Sequence, residues 1–326
     1  MDLLKRLTEL DVPAGREHVA HEFLTKEAEK LGYEVSIDAL GSVIAHKKGN
    51  GKKLMLAAHI DEIGIIANYI DDDGFIHFGR LGWLYQEDLK NRRVRFANGT
   101  IGVIAANGEK YEEKKDISNM YIDIGAKNRE EAEKLVKAGD TAVFDGTFVS
   151  AGDTIISNSL DDRIGCYLLF KAMEELKESK NDLYFVFTAQ EETGMRGAKT
   201  SAFTVMPDYA IAVDVTTAFD TPGSEKSDTK LGSGAGINNK DAFVICDHGV
   251  INTLRSLAEE NSIPYTDVVK SGGGNDGGAI ALTGSGVKTG GIGIPLRYMH
   301  SASEMVRKSD IEASLKLLIE VCKYEW

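Results

Sequence analysis

The stretch YFVFTAQEETG, residues 184–194, runs from an apolar segment into two adjacent carboxylates, Glu191 and Glu192. Its apolar part belongs to the segment DLYFVFTA, which predicts a buried β-strand. After Asp153, such segments alternate with helical patterns, for example DDRIGCYLLFKAMEELKE and SDIEASLKLLIEVCKYEW. Strands alternating with helices favour a largely parallel sheet with helices on both faces. The predicted fold is therefore α/β, with a mostly parallel central sheet flanked by helices.

The pattern changes between about Ile65 and Asp153, where short β-like pieces such as FIHFGRL and RVRFANGTIGVIAA are separated by turn residues. Asn98-Gly99 is a typical hairpin turn. One short amphipathic segment, NREEAEKLVKAG, interrupts this region. We therefore predict a small all-β, barrel-like domain over residues 66–152. It is inserted into a catalytic domain formed by residues 1–65 and 153–326.

The composition of the chain argues against some classes of binding partner. The chain has 326 residues and a formal net charge of -13, so a nucleic acid would have to bind against electrostatic repulsion. No apolar run reaches the roughly 18 residues that a membrane-spanning helix needs, and the first residues lack the apolar core of a signal peptide. We expect a soluble, cytoplasmic protein with no nucleic acid or membrane partner. The widely spaced cysteines (Cys166, Cys246 and Cys322) are expected to be core residues.

Ionisable side chains follow several of the predicted strands, and two more begin the helix at SLDDRIG. They are His59, Asp61, Asp161, Asp162, Glu191, Glu192, Asp214 and His300. Ligands of open α/β sheets bind at the carboxyl ends of the strands, so these side chains should meet at one edge. Burying so many carboxylates together without a cation would be very costly. Histidine and carboxylate donors suit zinc, cobalt or manganese, and the sequence therefore predicts a metal site.

A site with two divalent ions assigns different roles to neighbouring residues. Such a site needs a carboxylate shared by both ions, further ligands on each ion, and a base that takes a proton from water. Consecutive residues on an extended chain point in opposite directions, so Glu191 and Glu192 should not both reach the same ion. One is predicted to be a ligand and the other the base. This reasoning leaves open which glutamate is which.

Five motifs match a known family in order and spacing: AAHIDEIG, SLDDRIG, AQEETGMRGA, AVDVT and RYMHSASEMV. With them, essentially the whole chain resembles the cobalt- or zinc-dependent aminopeptidases that assemble as hollow tetrahedral dodecamers. That group contains glutamyl and deblocking aminopeptidases, and also proteins labelled cellulase M or endoglucanase. The resemblance implies a zinc-peptidase-like fold and two divalent metal ions per subunit, zinc or cobalt, with manganese as an alternative.

The resemblance also implies roles for single residues. His59 matches a terminal ligand of one ion, and Asp61 matches a catalytic-site residue that supports this histidine. Asp161 matches the carboxylate that bridges the ions, whereas Asp162 is expected to serve locally.

The remaining motif positions complete the implied site. Glu191 matches the general base, and Glu192 matches a ligand of one ion. Asp214 matches a ligand of the other ion, and His300 completes the ligand set to which Asp214 belongs.

The implied reaction is removal of N-terminal residues from peptides, with Glu191 accepting a proton from a water shared by two ions. The implied assembly is a homo-oligomer built from dimers, up to a dodecamer, with the inserted domain serving as a subunit interface or as a control on substrate access. Paired carboxylates also cleave glycosidic bonds, and a glycan hydrolase is therefore the alternative function.

The glycine-rich stretch at residues 271–291 ends in Gly-Val-Lys-Thr but lacks the Gly-Lys pair of a phosphate-binding loop. We therefore do not expect it to bind a nucleotide. Within it, Asn275 stands where the resembled family usually has threonine, and Asp276 follows as in the family.

Overall fold

A computed structural model describes residues 1–326, apart from the side chains at positions 109, 110 and 113. The helices are α1 (Asp2–Thr8), α2 (His18–Lys30), α3 (Gly108–Glu113), α4 (Arg129–Glu133), α5 (Leu160–Glu175), α6 (Arg196–Val205), α7 (His248–Glu260), α8 (Gly277–Ile280) and α9 (Lys308–Lys323). The strands are β1 (Glu34–Ile37), β2 (Val43–Lys47), β3 (Lys53–His59), β4 (Gly64–Ile70), β5 (Ile76–Leu81), β6 (Arg93–Phe96), β7 (Ile101–Ala106), β8 (Met120–Asp123), β9 (Thr141–Phe144), β10 (Val149–Ala151), β11 (Thr154–Ser157), β12 (Asp182–Thr188), β13 (Tyr209–Thr217), β14 (Ala235–Lys240), β15 (Tyr265–Val269), β16 (Lys288–Arg297) and β17 (Glu304–Arg307).

One large mixed sheet forms the centre of the molecule, in the order β1-β2-β12-β3-β13-β16-β17-β11-β10, with β14 and β15 attached beside β16. Strands β12, β3, β13 and β16 are parallel neighbours. Strands β2, β14 and β17 join this centre in antiparallel pairs, and β15 pairs parallel with β14. The predicted α/β fold is confirmed, and the four central strands are all parallel to their neighbours within this centre.

Alternate residues of β3 pack on opposite faces of the sheet, as expected for a strand buried on both sides. Leu54 and Leu56 join the larger core, which also contains α5 and α9. Met55 and Ala57 join a smaller core formed with α6 and α8. The three cysteines are buried free thiols, as the sequence predicts.

The region between the two parts of the large sheet forms a closed barrel of β4-β5-β8-β7-β6-β9. Its core, which includes Ile65, Phe78, Val94 and Ile122, is separate from that of the large sheet. The barrel strands extend from Gly64 to Phe144, and β10 returns to the large sheet by pairing with β11. This places a β-barrel unit inside the chain, as the sequence predicts, with the short helices α3 and α4 between its strands. The domain limits at 66 and 152 stay predictions.

In the described part of the chain, no helix combines the length and the apolar character needed to cross a membrane.

Candidate metal centre

Two candidate ligands of the first group come from adjacent parallel strands. The register of β3 and β13 pairs Ala57 with Ala212, so His59 and Asp214, two residues further along each strand, come side by side. Nε2 of His59 lies 3.8 Å from Oδ1 of Asp214. The other ring nitrogen, Nδ1, lies 3.0 Å from the carbonyl oxygen of Asp61. A contact at Nδ1 leaves Nε2 to face the site.

Asp161 lies between two groups of possible ligands. Its Oδ1 is 3.0 Å from Nε2 of His59, and its Oδ2 is 3.4 Å from Nε2 of His300. Asp161 and Asp162 have non-helical backbone angles, so the regular part of α5 begins after them. This start turns Asp161 towards the edge of the sheet, while Asp162 accepts hydrogen bonds from the backbone N–H groups of His59 and Gly165.

The second group consists of Asp161, Glu192 and His300, with Nε2 of His300 3.4 Å from Oε2 of Glu192. The first group is His59, Asp161 and Asp214. Both groups therefore share Asp161. The expected pairing of His300 with Asp214 is wrong, because β3 and β13 are neighbours and bring His59 to Asp214.

The expected geometry of Glu191 and Glu192 is also wrong. Strand β12 ends at Thr188, and Gln190 has a φ of 55°, so both glutamates lie in a turn and not on an extended chain. The backbone N–H groups of Glu191 and Glu192 donate to the two carboxylate oxygens of Asp61, at 3.0 and 3.2 Å. Asp61 thus holds the turn that carries both glutamates, in addition to its contact with His59.

The two glutamates nevertheless occupy different places. Glu192 belongs to the second ligand group, whereas Glu191 lines the same cavity outside both groups found among the described residues.

Burial sets the electrostatics of the site. Burial raises the pKa of Glu192 to about 8, although His300 opposes this rise, and it raises the pKa of Asp214 to about 7. The pKa of Glu191 is also raised by burial, and nearby Asp276 and Asp214 raise it further against the effect of His59. Asp161 is the exception: burial acts to raise its pKa, but hydrogen bonds with His300 and His59 lower it overall. Raised carboxylate pKa values show that the site favours added positive charge.

The donors fit divalent cations. Each group combines one imidazole nitrogen with two carboxylates, which is a ligand set suited to zinc and similar metals. Oε1 of Glu192 is buried and has no hydrogen-bond partner among the described residues. A buried carboxylate oxygen left without a donor is costly, and a cation would satisfy it.

A cavity of about 790 Å³ opens over the two groups. Aromatic side chains line it, namely Trp83, Tyr85, Phe219 and Phe243. Besides Glu191, two charged residues outside the ligand groups line it, Lys270 and the exposed Glu225. The glycines at 272–274 form part of the wall, so the glycine-rich stretch borders the site.

Two buried residues within this stretch, Asn275 and Asp276, form hydrogen bonds. Oδ1 of Asn275 accepts a hydrogen bond from the backbone N–H of Gly277, and Asp276 accepts one from the hydroxyl of Thr188. Asn275 therefore closes a local turn.

Sequence reasoning missed several residues of the site. Glu304 accepts hydrogen bonds from the backbone N–H groups of Asp161 and His300, and Lys270 lines the cavity. Glu304 lies within the quoted motif RYMHSASEMV, four residues after His300, so its position was a signal that could have found it. No pattern marks Lys270.

Known proteins are similar to this chain over most of its length. The family model for M42 glutamyl aminopeptidases matches residues 41–317. A protein of Acetivibrio thermocellus that carries the name of an aminopeptidase is 48% identical over 98% of this chain and 97% of its own length.

Solved structures are similar over the whole chain. An aminopeptidase from the archaeon Desulfurococcus kamchatkensis has a TM-score of 0.94 at 38% identity, covering 99% of this chain and 94% of its own. The TET1 peptidase of Pyrococcus horikoshii, described as assembling into a tetrahedron or a large octahedral shell, has a TM-score of 0.89 at 31% identity, covering 99% and 98%.

The alternative of a glycan hydrolase is wrong. The word endoglucanase occurs in the names of two similar structures, but the family model is that of a peptidase, and the carboxylates lie in groups with histidine. A metal-free pair of carboxylates flanking a sugar is not the arrangement found. The chain belongs to the M42 glutamyl aminopeptidase family and is a metal-dependent aminopeptidase, a hydrolase that removes N-terminal residues from peptides.

Proposed function

We propose that this aminopeptidase holds two divalent ions through His59, Asp161, Asp214, Glu192 and His300. The observation that carries the proposal is the position of Asp161, whose two oxygens face His59 and His300 separately. One ion would lie with the first group and one with the second, and Asp161 would be the ligand common to both. Zinc or cobalt fits these donors, with manganese as an alternative.

Glu191 is the proposed general base. Divalent ions held by these residues would polarise the scissile carbonyl and make a bound water molecule more acidic. The Glu191 carboxylate lines the cavity beside both ligand groups without belonging to either, so it is available to accept the proton of that water. It then donates the proton to the leaving amine.

Asp61 is proposed to act on both glutamates through the backbone. Its carboxylate fixes the N–H groups of Glu191 and Glu192, and its carbonyl oxygen contacts His59. One buried side chain thus positions the base and a ligand together.

Glutamine substitutions at the two neighbouring positions test these roles. Glu191→Gln removes the base, and we expect kcat for aminoacyl anilides to fall by about 10²–10⁴-fold while the metal content stays that of the wild type. Glu192→Gln removes a ligand and is expected to lower both the activity and the metal content. Metal analysis of both variants after gel filtration, alongside initial rates, measures the difference. Near full turnover in Glu191→Gln would show that another group is the base.

We further propose that the protein forms a homo-oligomer of dimers, up to a dodecamer, in which the barrel supplies a subunit interface. The barrel exposes Ile101 and Val103 on one face of β7, with 45% and 40% of their surface accessible. Exposed apolar side chains grouped on one face favour a protein contact.

Light scattering coupled to size-exclusion chromatography tests this assembly. Ile101→Asp with Val103→Asp is expected to lower the mass, because charge at an apolar contact is unfavourable. Phe203→Asp, which changes an exposed apolar residue of α6 outside the barrel, is the matched control and should leave the mass unchanged. A lower mass only in the control would place the interface on α6.

A further inference from the structure

A buried glutamate outside the ligand groups contacts both of them. Glu304 begins β17 and is 2% exposed. Its Oε1 accepts a hydrogen bond of 2.8 Å from the backbone N–H of His300, and its Oε2 accepts one of 3.0 Å from the backbone N–H of Asp161. One carboxylate therefore joins the residue shared by the two groups to the histidine of the second group.

The position of β17 in the sheet explains this contact. β17 pairs with β16 on one side and with β11 on the other. β16 leads towards His300, and β11 leads to Asp161 through Asn158–Leu160. Ser157 is the register partner of Glu304, so Glu304 lies where the chain leaves β11.

The backbone at His300 needs such an anchor. Its φ of 63° lies in the left-handed region, which non-glycine residues adopt only when surrounding contacts impose it. The hydrogen bond from its N–H group to Glu304 is a contact of this kind. Without it, the backbone of His300 would lose this anchor, and the ring would keep only its contacts with Asp161 and Glu192.

We propose that Glu304 is a positioning residue that fixes His300 relative to Asp161, the residue shared by the two metal-binding groups. This inference rests on the proposed function, because it takes Asp161 and His300 as ligands. A carboxylate suits the role because each of its oxygens accepts from one N–H group, whereas the amide of glutamine offers one acceptor oxygen and an NH₂ group. Asp61 holds the turn of Glu191 and Glu192 in the same manner. A buried carboxylate thus holds each of these residues through its backbone N–H group.

The alternative is that Glu304 only stabilises the fold. The chain contains a matched control, Asp310, which is also buried and accepts hydrogen bonds from two backbone N–H groups, those of Gly232 and Gly234, at 2.7 and 2.9 Å. Neither glycine belongs to a ligand group. Glu304→Gln and Asp310→Asn therefore make the same chemical change at comparable sites, but only the first affects proposed ligands.

The experiment measures metal affinity and not only activity. Cobalt(II) is titrated into the metal-stripped full-length wild type, Glu304→Gln and Asp310→Asn in competition with a chelator, and the visible absorption of the bound cobalt is recorded. We expect Glu304→Gln to weaken binding of at least one cobalt ion by about 10–100-fold and to change the absorption spectrum. Asp310→Asn should keep the wild-type affinity and spectrum even if its midpoint of unfolding falls.

Two outcomes would overturn the inference: wild-type cobalt affinity and spectrum in Glu304→Gln, or equal losses of affinity in both variants. His300→Ala, titrated in parallel, distinguishes failure of the inference from failure of the proposed function. If His300→Ala binds cobalt as the wild type does, the proposed ligand set is wrong. If His300→Ala loses an ion and Glu304→Gln does not, only the role of Glu304 is wrong.

Discussion

Buried charge dominates the chemistry of single residues in this protein. Arg163 is fully buried and forms an ion pair of 3.0 Å with Glu62, which in turn accepts a hydrogen bond from the hydroxyl of Ser159. Ser159 lies two residues before Asp161, so this pair supports the start of α5 beneath the site. Removing one partner of a buried pair leaves the other charge uncompensated, which is why such pairs hold their surroundings firmly.

The position of Lys270 in the cavity predicts that the enzyme prefers peptides with an acidic N-terminal residue. It is half-buried in the cavity wall, none of the described acidic side chains forms an ion pair with it, and its charge opposes the rise in pKa that burial causes at Asp214. We expect Lys270→Glu to lower kcat/KM for glutamyl anilide by roughly tenfold or more, about 1.4 kcal/mol, and to raise it for lysyl anilide.

The control for Lys270 is Lys199→Glu, which reverses a charge on the exposed surface of α6 outside the cavity. It should leave the ratio of the two kcat/KM values unchanged. An unchanged ratio in Lys270→Glu as well would mean that Lys270 does not contact the side chain of the first residue.

At the scale of elements, the start of α5 and the end of β3 are locked together by Asp162. This side chain accepts hydrogen bonds from the backbone N–H groups of His59 and Gly165, so it ties a ligand-bearing strand to the helix that carries Asp161. A Cβ atom at Gly165 would collide with the carboxylate of Asp162. The glycine is therefore required by close packing and not by an unusual backbone angle.

Gly165→Ala is expected to destabilise the protein, although glycine to alanine inside a helix usually stabilises by up to about 1 kcal/mol. Here the methyl group displaces Asp162, and overpacking of this kind costs about 1–3 kcal/mol. Denaturant unfolding measures the change. Gly272→Ala is the control, because a Cβ atom there meets open space. Equal or higher stability of Gly165→Ala would show that Asp162 moves without cost.

At the scale of the whole molecule, the large sheet and the barrel have separate hydrophobic cores, and charged contacts help to connect them. Arg95 of the barrel donates to both oxygens of Asp11, which belongs to the N-terminal segment, and also to Asp145. The metal centre lies in the part built on the large sheet. The stability of this part is therefore linked to the balance of charge among the carboxylates at the edge of the large sheet.

Metal removal should lower the thermal stability of the protein. Ions that bind only the folded state stabilise it by an amount that rises with their concentration, about 2.7 kcal/mol at one hundred times the Kd. We expect dialysis against a chelator to lower Tm by several degrees, and zinc or cobalt to restore it. Differential scanning calorimetry measures both changes. Asp161→Asn serves as the control, because loss of the shared ligand should make Tm insensitive to the chelator.

Much of the site was visible in the sequence, for a physical reason. Strands such as β3, β12 and β13 are short apolar runs, and their polar residues at or after the last apolar positions predict a common edge. His59, Asp161, Glu192, Asp214 and His300 do meet there. No local sequence pattern gives the order of the strands in the sheet. The proximity of His59 to Asp214 could therefore not be predicted.

The sequence by itself determined the α/β class, the inserted β unit and the inventory of ionisable side chains, because these follow from local periodicity and residue chemistry. Only the tertiary structure decided which candidate ligands share a group, that Glu191 and Glu192 lie in a turn held by Asp61, and that Glu304 joins Asp161 to His300. Each of these depends on contacts between segments far apart in the chain. Such contacts arise from strand order and backbone direction, which no short stretch of sequence encodes.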